Sequence, residues 1–250
     1  MSRSSTLLVE RSQTAPRPTP LPAPRARAPR LAGVAVRADL SCGFGALLTA
    51  WTFASGFLPE TDEGRSAIAY WSAGAVGAGL VIASLLLHEL GHALAARRAG
   101  LGVARITLSF VGGTSEIVGV IRHARAELAI AAAGPLMSLA VALVAALTHV
   151  AIVEAAGPGL SATIAALIAL ANLTIALLNA VPGLPLDGGR MLRAALWAWT
   201  GQADAATRFV VAVGRRFGEG LIGFAVLASA FGYAALALWA AMLGFVLRET

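Results

Sequence analysis

His88-Glu89-Leu90-Gly91-His92 is the stretch of this chain whose residue types and spacing point most directly to chemistry. Two histidines four residues apart share one face of a helix, so both imidazoles can reach a single ion at about 2.0–2.1 Å. Glu89 stands one step round the helix, placed to contact metal-bound water rather than to complete the ligand set. At this composition, shuffling would produce H-E-x-x-H roughly two times in a thousand, so chance is a poor account of it. A pair of polar residues at a helix end is the competing reading. It leaves unexplained why two histidines and a glutamate close a long apolar run, where burial is costly without a function.

A catalytic zinc usually has three protein ligands and a water. Two imidazoles leave one place to fill, and the search for it is narrow. Asp187 lies in Asn179-Ala-Val-Pro182-Gly-Leu-Pro185-Leu-Asp187-Gly188-Gly189-Arg190, just past an apolar run that ends on the same side as His92. Asp187 also suits the cap of a helix over 191–199, and both roles can hold together. On the residues alone, the choice stays open.

The elements that must carry these residues read as membrane spans. Of 250 residues, 58% are hydrophobic and 13% charged, too little charge for the surface of a soluble domain of this length. The apolar residues come in runs, and a span needs roughly 20 of them. Candidates are Cys42–Pro59, Ala67–Leu87 leading into His88, Leu128–Val153 with Gly134 and Pro135 near its start, and Leu160–Val181, ended by Pro182. The run Leu221–Leu247 is long for one span and tight for two, with a possible turn at Ser229–Gly232.

Every basic residue is arginine, and the formal charge is +6. The arginines gather in the first 38 residues, between the second and third spans, and over 190–216, whereas Arg65 alone falls in a segment expected outside. The positive-inside rule then places the N-terminus, the 97–125 loop and the 187–216 segment in the cytosol. No soluble module with a basic, aromatic-interleaved face is visible, so nucleic acid is not an expected partner. The lone Cys42 excludes an intrachain disulfide and reads as a small packed residue. His123 reads as a solvated loop residue, and His149 lies at the far end of its span from the site. Trp197 and Trp199 read as interfacial anchors.

Residues 1–38, rich in Pro, Ser and Arg, are expected to form a disordered cytosolic arm, followed by one domain over 39–250. Between the second and third spans, Ile106, Leu108 and Phe110 alternate with Thr107 and Ser109. Gly112-Gly113 reads as the turn of a hairpin that ends at Ile121. The expected fold class is therefore an all-α polytopic membrane protein with a small membrane-associated β-hairpin.

Together the two motifs resemble those of the site-2 protease family of intramembrane zinc metalloproteases. HELGH is similar to its first zinc motif, and Asn179…Pro182…Leu186-Asp187-Gly188 to its second. Ala133-Gly134-Pro135 and Gly112-Gly113 also resemble motifs of bacterial members. The resemblance covers roughly residues 40–248. It implies one Zn2+ held by His88, His92 and Asp187, with Glu89 as general base, and Asn179 positioning the substrate or polarising its carbonyl. It also implies about six spans, a site near the cytosolic face, and cleavage within a single-span membrane protein in the bilayer of a bacterial plasma membrane. Oligomeric state is left open. No stretch of this sequence reads as the regulatory CBS pair or PDZ domain that many relatives carry.

An α-helical substrate hides its carbonyls in backbone hydrogen bonds and must unwind before attack. An edge of the hairpin is the expected holder of the extended segment, by strand addition. Replacing Phe110 with Pro, with folding and zinc retained, is expected to abolish cleavage, and unchanged turnover in a cleavage assay refutes the idea. Three other readings compete. A prenyl-protein type of H-E-x-x-H protease would need a downstream glutamate on the right face. A metal transporter would need ionisable residues at several depths. A catalytically silent membrane scaffold would have no need of Glu89.

Overall fold

The computed structural model describes residues 30–109 and 112–249. Residues 1–29 of the expected arm, and Phe110, lie outside the described residues.

Among the described residues, four helical stretches are long and apolar enough to cross a membrane. The first, Leu40–Thr61, comprises α1 (Leu40–Thr52), a π-helical turn over Phe53–Phe57, and α2 (Leu58–Thr61). The others are α3 (Ala67–Arg98), α4 (Ala124–Ala156) and α5 (Leu160–Asn179). All four runs read from the sequence are helical, each longer than expected or within two residues of its expected end. Leucines stand outward on α4, with Leu143 62% and Leu147 61% exposed, a surface that water would penalise and acyl chains would not.

Asp39 caps α1, its carboxylate accepting from the Ser41 amide at 2.7 Å and the Cys42 amide at 3.2 Å. The Ser41 hydroxyl, helped by these two amides and opposed by desolvation, holds that exposed carboxyl below its usual range.

The ambiguous C-terminal run is split. The helix α7 (Ala203–Ala230) ends at a turn in which Gly232 has φ 84°, and α8 (Ala234–Arg248) returns along it. The two approach so closely at Gly218 and Gly244 that a Cβ on either would strike the other's carbonyl oxygen. Only 15 residues long, α8 is shorter than the roughly 20 of a full span. Among the described residues, four helical stretches thus meet the length and composition of a crossing segment.

The β structure departs furthest from the sequence reading. Instead of an isolated hairpin there is a four-stranded sheet, β1 (Arg30–Leu31), β2 (Val34–Ala38), β3 (Gly102–Ser109) and β4 (Gly112–Val118), in that spatial order. β2 runs parallel to β3, with Val36 beside Ile106 and Ala38 beside Leu108. Residues 30–38 thus carry two strands of this sheet, within the stretch expected as a loose arm. The cause is long-range. Val34 on β2 is buried with Cys42, Ala93, Ile106 and Leu108, a core assembled from two strands and two helices. Packing a Val and an Ile there contributes about 1.5–3 kcal/mol for each side chain. Cys42 is indeed a buried packing residue.

The glycine pair is not the turn. Gly112 and Gly113 lie within β4, opposite Ser109 and Leu108. Space at Gly113 is taken by the Glu89 side chain, so the position tolerates no Cβ.

Helix α6 (Asp187–Thr200) lies against α4. Glu127, 2% exposed in the first turn of α4, accepts from Arg193 Nε of α6 at 2.9 Å and also from Arg193 Nη2. Arg193 Nη1 donates to Thr207 of α7 at 3.2 Å. Removing one partner strands a buried charge, which costs about 3–5 kcal/mol. Arg193→Met should therefore lower the thermal stability of the purified protein far more than Glu127→Gln/Arg193→Met does. Equal losses in the single and double variants would show that the ion pair does not hold α6 to α4.

Candidate functional site

The site forms where α3, α4 and α6 meet, with β4 laid across one side. His88 and His92 sit in the C-terminal third of α3, 3% and 4% exposed, with Glu89 at 5% between them. Gly91 faces α4, and a Cβ there would strike the Ala133 carbonyl oxygen at 2.6 Å. Absence of that Cβ brings the two helix backbones together, so that α4 supplies partners to both imidazoles. His92 Nδ1 lies 2.7 Å from the Ile130 carbonyl oxygen, and His88 Nδ1 lies 2.9 Å from Ser138 Oγ. A carbonyl oxygen only accepts, so His92 carries its proton on Nδ1 and presents a lone pair at Nε2. Pro135, one residue past Gly134, has no N–H for the Ala131 carbonyl one turn back, which loosens the ladder beside Ile130.

Asp187 arrives from across the sequence. The Pro182–Leu186 segment folds back on the first turn of α6 because Gly188 and Gly189 leave room for it. Cβ atoms at those positions would overlap the backbone of Ala180 and of Gly183. Gly183 in turn rests on Gly214 of α7 and the side chain of Leu247 of α8, so the C-terminal helix pair braces this segment. Asp187 is the first residue of α6, not its cap. Leu186 holds the N-cap position, and no side chain caps the helix. This corrects the helix start expected at 191. The Asp187 carboxylate turns instead to the imidazoles, with Oδ2 at 3.0 Å from His92 Nε2 and 3.3 Å from His88 Nε2. Arg190 Nη1 stands 3.6 Å from Oδ1.

The two Nε2 atoms are 3.2 Å apart. Three atoms able to present lone pairs thus form a triangle with edges of 3.0–3.3 Å. A tetrahedral ion with ligands at about 2.0–2.1 Å spaces those ligands about 3.3 Å apart, so the triangle fits a zinc-sized cation. Gly134 completes the cradle. A Cβ there would overlap His92 Nε2 and approach His88 Nε2 to 2.6 Å, so the space it leaves lies against both ligand atoms.

Glu89 offers a carboxylate oxygen within 4.8 Å of the histidine nitrogens. Ser115 of β4 donates to its Oε2 at 2.7 Å, and Gly113 covers its stem. The sheet therefore fixes the rotamer of Glu89.

Asn179 is not drawn into this cluster. It ends α5 half-buried, and its Nδ2 donates to its own helix at Ile175 O, 3.0 Å away. His123 is exposed before α4, and His149 bonds the Ala162 carbonyl at 2.8 Å. Neither joins the cluster. Sequence reasoning missed Ser115, Ser138 and the Glu127–Arg193 pair. Their types are ordinary, and only the neighbouring Gly113 and Gly134 hinted that something lay close.

The model of Peptidase family M50 matches residues 76–162 and 148–218. The chain is 35% identical over 216 residues to Rip3 of Mycobacterium tuberculosis, named as a zinc metalloprotease, covering 86% of this chain and 55% of that one. It is 32% identical over 119 residues to the zinc metalloprotease MJ0392 of Methanocaldococcus jannaschii, covering 47% of this chain and 33% of the relative. The chain thus spans about half the length of the first of these relatives, and less of the second. The solved structure of a site-2 protease from Methanocaldococcus jannaschii superposes with a TM-score of 0.57 at 22% identity, over 90% of this chain and 95% of that one, which shows a shared fold. With both motifs inside the matched segments, the chain is an integral membrane protein that belongs to peptidase family M50, the site-2 protease family.

Proposed function

We propose that this chain is an intramembrane zinc endopeptidase that cleaves a peptide bond in or near a transmembrane segment of another membrane protein. The observation that carries the reading is the convergence of His88 Nε2, His92 Nε2 and Asp187 Oδ2 within 3.3 Å beside the buried Glu89. His88, His92 and Asp187 would hold the zinc. When bound, the ion supplies Lewis acidity, polarising the scissile carbonyl and making water easier to deprotonate at neutral pH. Glu89 takes the water proton and returns it to the leaving amine. Ser115 occupies Oε2, so the transfer is assigned to Oε1. Asn179 keeps its expected role of positioning the substrate, which requires its amide to leave the Ile175 carbonyl.

The outer edge of β4 is the proposed seat of the unwound substrate. β4 is last in the sheet order, and Gly113 and Ser115 place it against Glu89. Water must also reach the metal. The arginines at 97–125 and 190–216 support a cytosolic site near one membrane face, with α7 and α8 as the remaining two of six crossings.

The reading is tested by comparing membrane proteomes of cells carrying wild-type protein or Glu89→Gln at matched expression. A single-span fragment that accumulates only with Glu89→Gln supports proteolysis and names a substrate. No difference under several stresses would favour a silent scaffold. Zinc flux that persists in Glu89→Gln would favour a transporter.

A further inference from the structure

Buried polar groups continue outward from the metal-binding residues along α3, α4 and α5. Ser84, Ser138 and Asn172 are 2%, 0% and 0% exposed. Helix register places them at one level. His149 of α4 meets Ala162 of α5. Ten residues inward along both antiparallel helices, at the common rise of about 1.5 Å, bring Asn172 level with residue 139, next to Ser138. Ile164 lies against Gly77, and eight residues on, Asn172 is level with Leu85, next to Ser84.

Donors and acceptors at this level do not balance. The Ser84 hydroxyl donates to Val81 O at 2.8 Å, and Asn172 Nδ2 donates to Ile168 O at 2.9 Å. Asn172 Oδ1 is buried with no donor among the described residues. Ser138 Oγ contacts His88 Nδ1. Thr148 and Thr174 return their hydroxyl hydrogens to carbonyls of their own helices. Among the described residues Ser138 shows no such bond. One amide oxygen seeks a donor, and at the same depth a hydroxyl holds a hydrogen that can go either to His88 Nδ1 or towards that oxygen. An unmade buried bond is costly, and a water between two such groups removes the cost.

We propose that Asn172 is a positioning residue for His88, its Oδ1 drawing the Ser138 hydroxyl hydrogen through one buried water. The consequence lies in the tautomer. Ile130 O forces His92 to protonate Nδ1, but a serine hydroxyl can donate or accept and so leaves His88 undecided. With its own hydrogen turned to Asn172, Ser138 Oγ must accept from His88 Nδ1–H. Nε2 then faces His92 and Asp187 as a lone pair. The inference rests on the metal reading above, and it explains why an α5 residue that touches no ligand carries an amide.

Zinc dissociation constants of the purified full chain, measured by competition with a chromophoric chelator, test it. Asn172→Leu, which keeps the branching and heavy-atom count but has no acceptor, should weaken binding about 10–100-fold, as outer partners of metal ligands typically do. Asn172→Asp, which keeps Oδ1, should restore most of the affinity. Ser138→Ala/Asn172→Leu should bind no more weakly than Ser138→Ala alone, because both act through one chain. Thermal unfolding of the zinc-free Asn172→Leu protein should be unchanged or higher. Should that variant not fold, the smaller Asn172→Val takes its place. Wild-type affinity in the acceptor-less variant, or losses that multiply in the double variant, overturns the proposal. A wild-type chain that binds no zinc overturns the metal reading instead.

Discussion

Glu89→Gln should lower peptide-bond hydrolysis by about 10²–10⁴-fold while leaving zinc bound, because a glutamine keeps the shape of the glutamate but accepts no proton. The geometry makes this a clean substitution. Glu89 is not one of the three atoms of the 3.0–3.3 Å triangle. Its Oε2 accepts from Ser115, and a glutamine carbonyl oxygen can keep that bond. The side chain is pinned under Gly113, so the amide has little freedom to rotate into another role. Turnover of a single-span substrate in detergent or liposomes, with zinc content measured on the same preparation, checks it. Residual turnover within tenfold of wild type, at equal zinc, would remove Glu89 as the base and turn attention to another group.

Gly134→Ala should abolish stable zinc binding, raising the dissociation constant by at least about 100-fold. One methyl has this effect because neither imidazole can retreat. Each is tied at Nδ1, His92 to Ile130 O and His88 to Ser138, and Gly91 locks α3 onto α4. The new Cβ would overlap His92 Nε2, so either the ligands rotate away from Asp187 or the helices part. Overpacking of this kind costs typically about 1–3 kcal/mol. Gly79→Ala is the control, since its Cβ meets nothing within 4 Å on the same helix as the histidines. It should leave zinc affinity and thermal unfolding unchanged or slightly improved. Wild-type zinc affinity in Gly134→Ala would mean that the cradle is not where the ion sits.

Helices α3, α4 and α5 were legible because a bilayer asks one local question, whether roughly 20 residues in a row are apolar. H-E-x-x-H was legible for a similar reason, since helix period alone puts His88 and His92 on one face. Asp187 needed the paired motif, because ninety-nine residues separate it from His88 and no periodicity spans that distance. The sheet was read as half of itself. β3 and β4 are near neighbours in sequence, whereas β2 pairs with β3 across the first two membrane-crossing stretches. Its short Val34–Ala38 run sits beside an arm whose composition argues against structure.

What the sequence by itself determined is therefore the membrane class, the four long apolar helical runs, the H-E-x-x-H pair of histidines with its adjacent glutamate, and the family. Each follows from residue type and short-range period. The tertiary structure decided which groups hold those residues in a working orientation: Ile130 O and Ser138 on the imidazoles, Ser115 and Gly113 on Glu89, and the glycine-lined fold-back that delivers Asp187. A hydrogen bond between helices depends on relative rotation and depth. Those are set by the sum of many close contacts, and no local pattern in the chain records them.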